Sequence, residues 1–263
     1  MILNSTEENR LDLRQFPAFA EISAYSEQSL QNGLTFQKFD IGKNLTESFV
    51  LPAQIYLLLQ GNCRILIEEQ GKLTTLGRLG PGSFIGLASL LRADPCEHVA
   101  AATEVVVAAI PDQLIIYLYV NEVGFRRWCD GQLWPVELAA LFSDTQKKDP
   151  RMQSSLMSVV QNWIDTAKLS TDEMSFSHAP GRTRFVASAN SDIPIGEALD
   201  CNSTYPQARP PFALRIISLL DEPSSKSDNL EAEGTLSSLE LEAASECPPR
   251  SSINFGEKNE FSG

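Results

Sequence analysis

The sequence predicts an α+β fold: an antiparallel, jelly-roll-like β-roll flanked by helices and followed by a disordered acidic C-terminal tail. Apolar runs of strand length alternate with glycine-containing turns between residues 35 and 111. Amphipathic helical patterns follow between residues 112 and 167. Residues 221–263 contain 10 acidic residues and 9 serines against 3 basic residues. With a net charge of −7 and few apolar residues, this segment cannot bury enough apolar surface to offset the conformational entropy lost on ordering.

The composition of the 263 residues excludes several classes of protein. The formal net charge of −13 argues against nucleic acid as a partner, because phosphate binding needs clustered Lys and Arg. No stretch approaches the ~18 uninterrupted apolar residues of a membrane-spanning helix. Residues 1–8 lack the basic and apolar regions of a secretory signal, so we expect a cytoplasmic protein. The five cysteines form no C-x-x-C pair and are expected to be free thiols.

Short strands account for the first part of the chain. Each predicted strand is an apolar or alternating run that stops at turn residues. Their spacing, with turns about every 8 to 12 residues, is typical of a β-sandwich, roll or barrel. The predicted strands are Thr35–Phe39, Ala53–Leu59, Cys63–Ile67, Leu73–Leu79 and one long strand, Ala100–Ile110.

Three helices are predicted after the strands. Asp112 is suited to cap a helix that continues toward Trp128, and Pro135 is suited to the first turn of a second helix. A third, amphipathic helix is predicted from Arg151 to Ala167. Its apolar stripe is expected to pack against the β unit; the alternative is a partner-binding helix.

These patterns divide the chain into three regions. Residues 1–145 are expected to form the roll with its flanking helices, and residues 146–170 a helical extension. Residues 171–263 are expected to be a largely disordered region rich in Pro, Ser and acids. In the tail, Leu236 and Leu239 leave open a short amphipathic turn that folds on a partner.

From Phe39 to Pro111 the chain resembles the cyclic-nucleotide-binding domain family, a β-roll sensor fold. The resemblance lies in an ordered series of glycines and apolar runs rather than in one motif. The matching segments are Gly42, Ile55–Leu59 with Gly61, Arg64–Leu66, Leu79–Gly86, Ala88–Leu91, Pro95 and Ile110–Pro111. The resemblance implies that the helix after Pro111 packs on the roll and relays its state.

The resemblance also implies where a ligand would bind. In the family, backbone N–H groups at the start of a short helix, here at Gly86, face a cyclic phosphate. A Glu one residue later binds the ribose hydroxyl, and an Arg just after the proline binds the phosphate. This sequence has Leu87 and Cys96 at those positions. Each loss costs ~1.5 to 3 kcal/mol, so affinity should fall by about two to four orders of magnitude. Phe49 also replaces a turn glycine usual in the family.

The candidate ligand-binding residues are those of this degenerate pocket: Gly86, Leu87, Ala88, Ser89, Arg92 and Cys96. Ser89 and the N–H groups of Leu87 and Ala88 remain as weak anion donors. Arg92 is expected to be a solvated arginine that complements the dipole at the helix end. The alternative is that its side chain swings toward an anion at Gly86. No cofactor is expected, and cyclic nucleotide is disfavoured as a ligand.

No catalytic or metal-binding residue is predicted. Cys96, Glu97 and His98 are adjacent, but a nucleophile and its base are normally brought together by the fold rather than by adjacency. We interpret them as a loop thiol beside a solvated acid and imidazole. The two histidines, His98 and His178, form no metal-binding motif. An enzyme on a cupin-like roll would lack its histidine ligands, so a non-enzymatic protein is expected.

The leading hypothesis is a regulatory or interaction module that recognises a protein partner and does not bind cyclic nucleotide tightly. One alternative is a true sensor for another small ligand, since Leu87 makes the pocket more apolar, or for a cyclic nucleotide with altered specificity. A second alternative follows from the arrangement of roll, helical extension and Pro/Ser/acidic stretch containing Arg209–Ile217. This arrangement resembles the N-terminal regulatory part of some cyanobacterial peptide-exporting ABC transporters, and implies a regulatory fragment or relative of such an exporter.

Overall fold

The computed structural model describes residues 11–69, 71–148, 155–176, 181–200 and 203–221. These residues form helices and antiparallel sheets, which confirms the predicted α+β fold with a β-roll. Within these ranges no helix is both long enough and apolar enough to span a membrane.

Two four-stranded antiparallel sheets make up the roll. The strands, numbered in chain order, are β1 Thr35–Phe39, β2 Asn44–Thr46, β3 Gln54–Gln60, β4 Cys63–Glu69, β5 Lys72–Leu79, β6 Phe84–Ile85, β7 His98–Ala101 and β8 Val105–Pro111. One sheet of the roll has the order β1-β8-β3-β6, and the other β2-β7-β4-β5. Leu58 and Val107 from the β1-β8-β3-β6 sheet share a buried apolar cluster with Ile65 and Val99 from the β2-β7-β4-β5 sheet. This cluster holds the two sheets together.

The tight turn between β3 and β4 depends on Gly61. Its φ of +83° lies in the left-handed region. A Cβ at this position would lie 2.3 Å from the carbonyl oxygen of Glu104. Glycine is therefore required both by the backbone conformation and by the close approach of the neighbouring chain.

Six described helices flank the strands. They are α1 Ala24–Gly33, α2 Leu87–Arg92, α3 Asp112–Asn121, α4 Val123–Asp130, α5 Pro135–Lys148 and α6 Leu156–Trp163. Two 3-10 helices, Leu13–Gln15 and Pro17–Phe19, precede α1. Phe19 contacts Phe84 of the roll and Phe125 of α4, with ring centroids 5.5 and 5.7 Å apart. An aromatic core thus joins the N-terminal segment to the roll and its helices.

The helix predicted to run from Asp112 toward Trp128 is broken at Glu122. This residue has extended dihedral angles, and its carboxylate accepts hydrogen bonds from the backbone N–H and hydroxyl of Ser23 at 3.2 and 2.5 Å. Glu122 thus separates α3 from α4 and contacts a residue 99 positions earlier in the chain. A local pattern could not show this break.

The long strand predicted over Ala100–Ile110 is two strands. The backbone N–H groups of Ala102 and Thr103 donate to the carbonyl of Asn62, which turns the chain between β7 and β8. β7 and β8 consequently belong to different sheets. Thr103 and Glu104 interrupt the apolar run at this turn, and residues on both sides of it, Ala101 and Val105, lie in the same buried cluster.

A separate four-stranded sheet lies downstream of the roll. It contains β9 Lys168–Ser170, β10 Arg182–Val186, β11 Ala198–Leu199 and β12 Ile216–Leu220, in the order β11-β10-β12-β9. Ile217 and Leu219 of β12 pack in one buried cluster with Leu138 of α5 and Trp163 of α6. We refer to this sheet and the described residues that connect its strands, 168–176, 181–200 and 203–220, as the second sheet below.

The second sheet differs from the expectation of disorder from residue 171 onward. The expectation rested on the high content of Ser, Pro, Asn and acids. Phe185, Ile217 and Leu219 of this region are nevertheless buried, because the apolar faces of α5 and α6 cover them. Residues 222–263, which carry most of the predicted acidic tail, lie outside the described residues.

Candidate functional site

The candidate site is built around the start of α2. Gly86 precedes the helix with a φ of +91°, in the left-handed region that favours glycine. A Cβ here would lie 3.0 Å from Pro52 and 3.2 Å from the Ile55 side chain. Both the conformation and the packing therefore require glycine where the sequence placed the start of the short helix.

The backbone donors at this helix start are held by a carboxyl group of the chain itself. Glu97 Oε1 accepts the N–H of Gly86 at 3.0 Å, and Glu97 Oε2 accepts the N–H of Ser89 at 3.0 Å. Glu97 is buried, and this burial raises the pKa of its carboxyl group above the usual range. The hydrogen bonds from Ser89 and Gly86 oppose that shift. Glu97 is thus an internal acceptor at the position where the resemblance placed an anion.

Ser89 fixes the segment that carries this glutamate. Its hydroxyl oxygen accepts the N–H of Cys96 at 3.0 Å and the N–H of Glu97 at 3.1 Å. The Cys96 sulfur lies 3.6 Å from the same oxygen. Ser89 is therefore committed to internal hydrogen bonds, in contrast to the anion donor that the sequence predicted.

The expectation of a loop thiol beside a solvated acid is wrong for Cys96 and Glu97. Both side chains are buried beneath α2. Burial raises the pKa of the Cys96 thiol to about 12, which disfavours the nucleophilic thiolate near neutral pH. His98 is half-buried, and its Nε2 atom has no hydrogen-bond partner among the described residues.

Leu87 and Ala88 belong to the core. Leu87 packs with Ile55 and Leu57 in the buried cluster between the roll and its helices. Ala88 packs in the cluster between the two sheets. Neither side chain offers a polar contact at the helix start. Phe49 is 73% exposed, so its ring does not fill the site.

Arg92 is fully buried at the other end of α2, which contradicts the expectation of a solvated arginine. Its Nε donates to the carbonyl of Ala187 at 2.6 Å, and its own carbonyl accepts the N–H of Ala189 at 2.8 Å. Nη2 lies 3.4 Å from Asp94 Oδ2. Among the described residues neither Nη1 nor Nη2 has a hydrogen-bond acceptor of good geometry. The side chain is directed to the second sheet rather than toward Gly86.

A second buried charge pair joins α5 to β12. Glu137 Oε1 accepts from Arg215 Nε at 2.6 Å, and Glu137 Oε2 accepts from Arg215 Nη2 at 2.9 Å. The same Oε2 accepts the backbone N–H of Trp134 at 3.0 Å. Both charged side chains are buried. The pair anchors the second sheet to the helices that follow the roll.

Of the six predicted site residues, the structure gathers Gly86, Leu87, Ala88, Ser89 and Cys96 at the start of α2 and places Arg92 at its end. The sequence missed Glu97, which is the polar group that contacts this site. Its position immediately after Cys96 was visible, but only the fold shows that its carboxyl group reaches the N–H groups. Within the described residues no group of three or more His, Cys, Asp or Glu side chains is arranged to hold a metal ion.

Comparison with known proteins supports the resemblance for part of the chain. Residues 38–121 match the family model of the cyclic nucleotide-binding domain. This segment runs from the last two residues of β1 to the end of α3 and includes all six candidate site residues. A comparison with curated protein sequences gives no match. The similarity to the regulatory part of peptide-exporting ABC transporters stays a prediction.

Among solved structures, the chain is similar to the regulatory subunit of a cAMP-independent protein kinase A from Trypanosoma cruzi bound to guanosine. The identity is 16%, the coverage 44% of this chain and 45% of that chain, and the TM-score 0.36. A putative cyclic nucleotide-binding protein from Geobacter metallireducens is 17% identical, with a coverage of 44% of this chain and 84% of that chain and a TM-score of 0.38. The regulatory domain of Toxoplasma gondii PKA with cAMP is 14% identical, with a coverage of 79% of this chain and 85% of that chain and a TM-score of 0.40. The first similarity thus spans less than half of the Trypanosoma cruzi chain, and none of the three bears on what this chain binds.

Proposed function

We propose that this chain is a regulatory or interaction module whose cyclic-nucleotide-binding-like roll does not bind cyclic nucleotide tightly. The observation that carries the proposal is the carboxyl group of Glu97 on the N–H groups of Gly86 and Ser89. An incoming phosphate would have to displace this acceptor from both N–H groups. The roll then acts through its surface and its helices, with a protein as the expected partner.

The substitutions at the two ligand positions point the same way. Leu87 and Cys96 are buried and offer neither a carboxylate for a ribose nor a cation for a phosphate. Arg92, the nearest alternative cation in the sequence, is committed to the second sheet through Ala187. Three separate features therefore oppose an anionic nucleotide: an internal acceptor, two missing ligand groups and a diverted arginine.

Isothermal titration calorimetry of the full chain with cyclic AMP and cyclic GMP tests the proposal. We expect no binding tighter than about 10 μM, which corresponds to roughly −7 kcal/mol. A dissociation constant below this limit for either nucleotide would contradict the proposal. The Glu104→Gln variant, altered at an exposed glutamate of the roll, is a matched control for variants of Glu97.

A restored site gives a sharper comparison. Leu87→Glu with Cys96→Arg returns the two ligand groups that the resemblance calls for but leaves Glu97 in place. Adding Glu97→Gln removes the competing carboxylate, so the triple variant should bind cyclic AMP more tightly than the double variant. Thermal unfolding of both variants controls for loss of structure. Equal affinity of two folded variants would show that Glu97 does not block the site.

A second candidate function is a sensor for a different small molecule that binds outside this site. A cleft between α4 and the segment after β9 favours it, because polar groups from both sides converge there: Arg126, Asp130, Thr171, Asp172 and Ser175. Burial raises the pKa of the Asp130 carboxyl group, which accepts the Tyr119 hydroxyl at 2.7 Å. A thermal-shift screen of small polar metabolites, repeated on Asp130→Asn, tests this candidate. Stabilisation that is lost in the variant would support it.

A further inference from the structure

We propose that the second sheet is the response unit of this module and that Arg92 couples it to the start of α2. The inference rests on the proposed regulatory function of the roll and names the part of the chain that responds to it. Its central observation is that α2 is held at one end by Glu97 and at the other by the backbone of Ala187 and Ala189.

Arg92 and the second sheet contact each other in both directions. The Arg92 side chain donates to the carbonyl of Ala187, and the Arg92 carbonyl accepts the N–H of Ala189. Ala187 in turn donates its N–H to the carbonyl of Arg215 at 2.8 Å, directly before β12. A displacement of the end of α2 therefore pulls on the segment that follows β10 and on its neighbour before β12.

The length of α2 suits this transmission. A helix of six residues spans about 9 Å, roughly one and a half turns, and has little room to bend. All six of its residues, Leu87–Arg92, are buried, so the helix is enclosed along its whole length. Loss of the contact with Glu97 at its start would release the helix as a unit, and the motion would reach Arg92.

Burial of the Arg92 guanidinium carries a desolvation penalty, which the ion pair with Asp94 at 3.4 Å and the nearby charge of Glu137 help to offset. Nη1 and Nη2 nevertheless lack hydrogen-bond acceptors of good geometry among the described residues. A nonpolar side chain of similar length would fill the same space without the desolvation penalty. The directed contact between Arg92 Nε and the Ala187 carbonyl is the feature that a nonpolar residue would not supply.

The second sheet also holds the helices that follow the roll. The Tyr119 hydroxyl of α3 accepts the N–H of Ala213 at 3.1 Å, and Glu137 of α5 pairs with Arg215. The ring of Tyr119 meets that of Phe212 at 4.9 Å. The second sheet thus contacts α2, α3 and α5. A movement of α2 would therefore shift the second sheet relative to α3 and α5.

Hydrogen exchange measured by mass spectrometry on the full chain tests the coupling. In Glu97→Gln we expect amide exchange rates about fivefold or more above those of the wild type, in peptides covering residues 86–97 and also in those covering residues 182–191. The amides in these peptides would exchange through partial opening of the folded state. The matched control Glu104→Gln should change neither. Faster exchange confined to residues 86–97 would overturn the proposal.

Arg92→Met then tests the coupling residue. It keeps an unbranched side chain but removes the donor to Ala187. In the double variant with Glu97→Gln, exchange at residues 182–191 should no longer differ from that in Arg92→Met alone. An undiminished response in the double variant would show that the Arg92 side chain does not carry the coupling, and would overturn its proposed role.

A milder variant covers the case in which Glu97→Gln does not fold. Ser89→Ala removes the hydroxyl that accepts the N–H groups of Cys96 and Glu97, and should produce the same paired change in exchange. An unchanged second sheet in folded Ser89→Ala would overturn the proposal. Tight binding of cyclic nucleotide to the wild type would refute the proposed function separately. Calorimetry measures nucleotide binding, whereas hydrogen exchange of the variants measures the coupling to the second sheet.

Discussion

Replacing Glu137 by Gln should destabilise the protein strongly, because it leaves the Arg215 guanidinium as a buried charge without a counter-charge. Arg215 is 1% exposed and Glu137 is fully buried. The two side chains share two hydrogen bonds, at 2.6 and 2.9 Å. Removing one partner of such a buried pair costs about 3 to 5 kcal/mol.

Two contacts limit the loss. Arg215 Nη2 also donates to the carbonyl of Gln132 at 2.5 Å, and the guanidinium carbon lies 5.4 Å from the centre of the Trp134 ring. Both contacts remain in Glu137→Gln, so we expect a loss of about 3 kcal/mol, at the lower end of that range. For a folded unit of this size, a loss of about 3 kcal/mol lowers the melting temperature by roughly 6 to 12 °C.

Urea unfolding followed by tryptophan fluorescence measures the change, because Trp134 and Trp163 lie near the α5–α6 region. The matched control is Lys38→Gln. Lys38 pairs with Glu104 at 2.8 Å, but the two side chains are 59% and 60% exposed. Removing that pair should change the free energy of unfolding by about 1 kcal/mol or less.

A double variant separates charge from packing. Glu137→Leu with Arg215→Met removes both charges and fills similar volume, so it should be more stable than Glu137→Gln. The reasoning would be refuted if Glu137→Gln lost less than about 1 kcal/mol, no more than an exposed pair contributes. It would also be refuted if the double variant were as unstable as the single one.

Three further predictions concern the thiols, the acid at the site and the C-terminal region. Burial raises the pKa of Cys63 to about 11 and that of Cys96 to about 12, so maleimide should label either thiol slowly at about pH 8 until urea unfolds the protein. Rapid labelling in the folded state, located by peptide mapping, would contradict this. Because the raised pKa of Glu97 keeps its proton bound to higher pH in the folded than in the unfolded state, its contribution to stability falls as pH rises above about 4.5. Wild type should therefore lose more stability than Glu97→Gln over that rise, and parallel pH profiles would argue against it. Truncation after Asp221 should shift the melting temperature by only a few degrees, which corresponds to a change below about 1 kcal/mol in the free energy of unfolding. Removal of residues 168–220 as well should lower the melting temperature sharply, because it exposes the apolar faces of α5 and α6. Calorimetric scans of both truncations would decide, and equal melting temperatures would contradict the assignment of the second sheet to the folded core.

Local sequence patterns determined four of the eight strands of the roll, namely β1, β3, β4 and β5. β1 has the predicted bounds, and β3 and β4 lie within one or two residues of theirs. These strands are bounded by turns, and the turn at Gly61 needs a conformation that few other residues adopt. The information needed to place them lies within a few residues. The family resemblance also placed the start of α2 correctly at Gly86.

Tertiary structure alone decided the chemistry of the site. Whether Glu97 and Arg92 are solvated depends on what covers them, and the cover comes from residues that are distant in the chain or separated by a turn. Arg92 meets Ala187, 95 positions away, and Glu137 meets Arg215, 78 positions away. The sequence does not distinguish a buried charged residue from an exposed one. The free energy of a charged side chain depends on its solvation and its partners, which only the folded structure defines. The second sheet follows the same rule, because its sparse apolar residues become a core only when α5 and α6 lie against them.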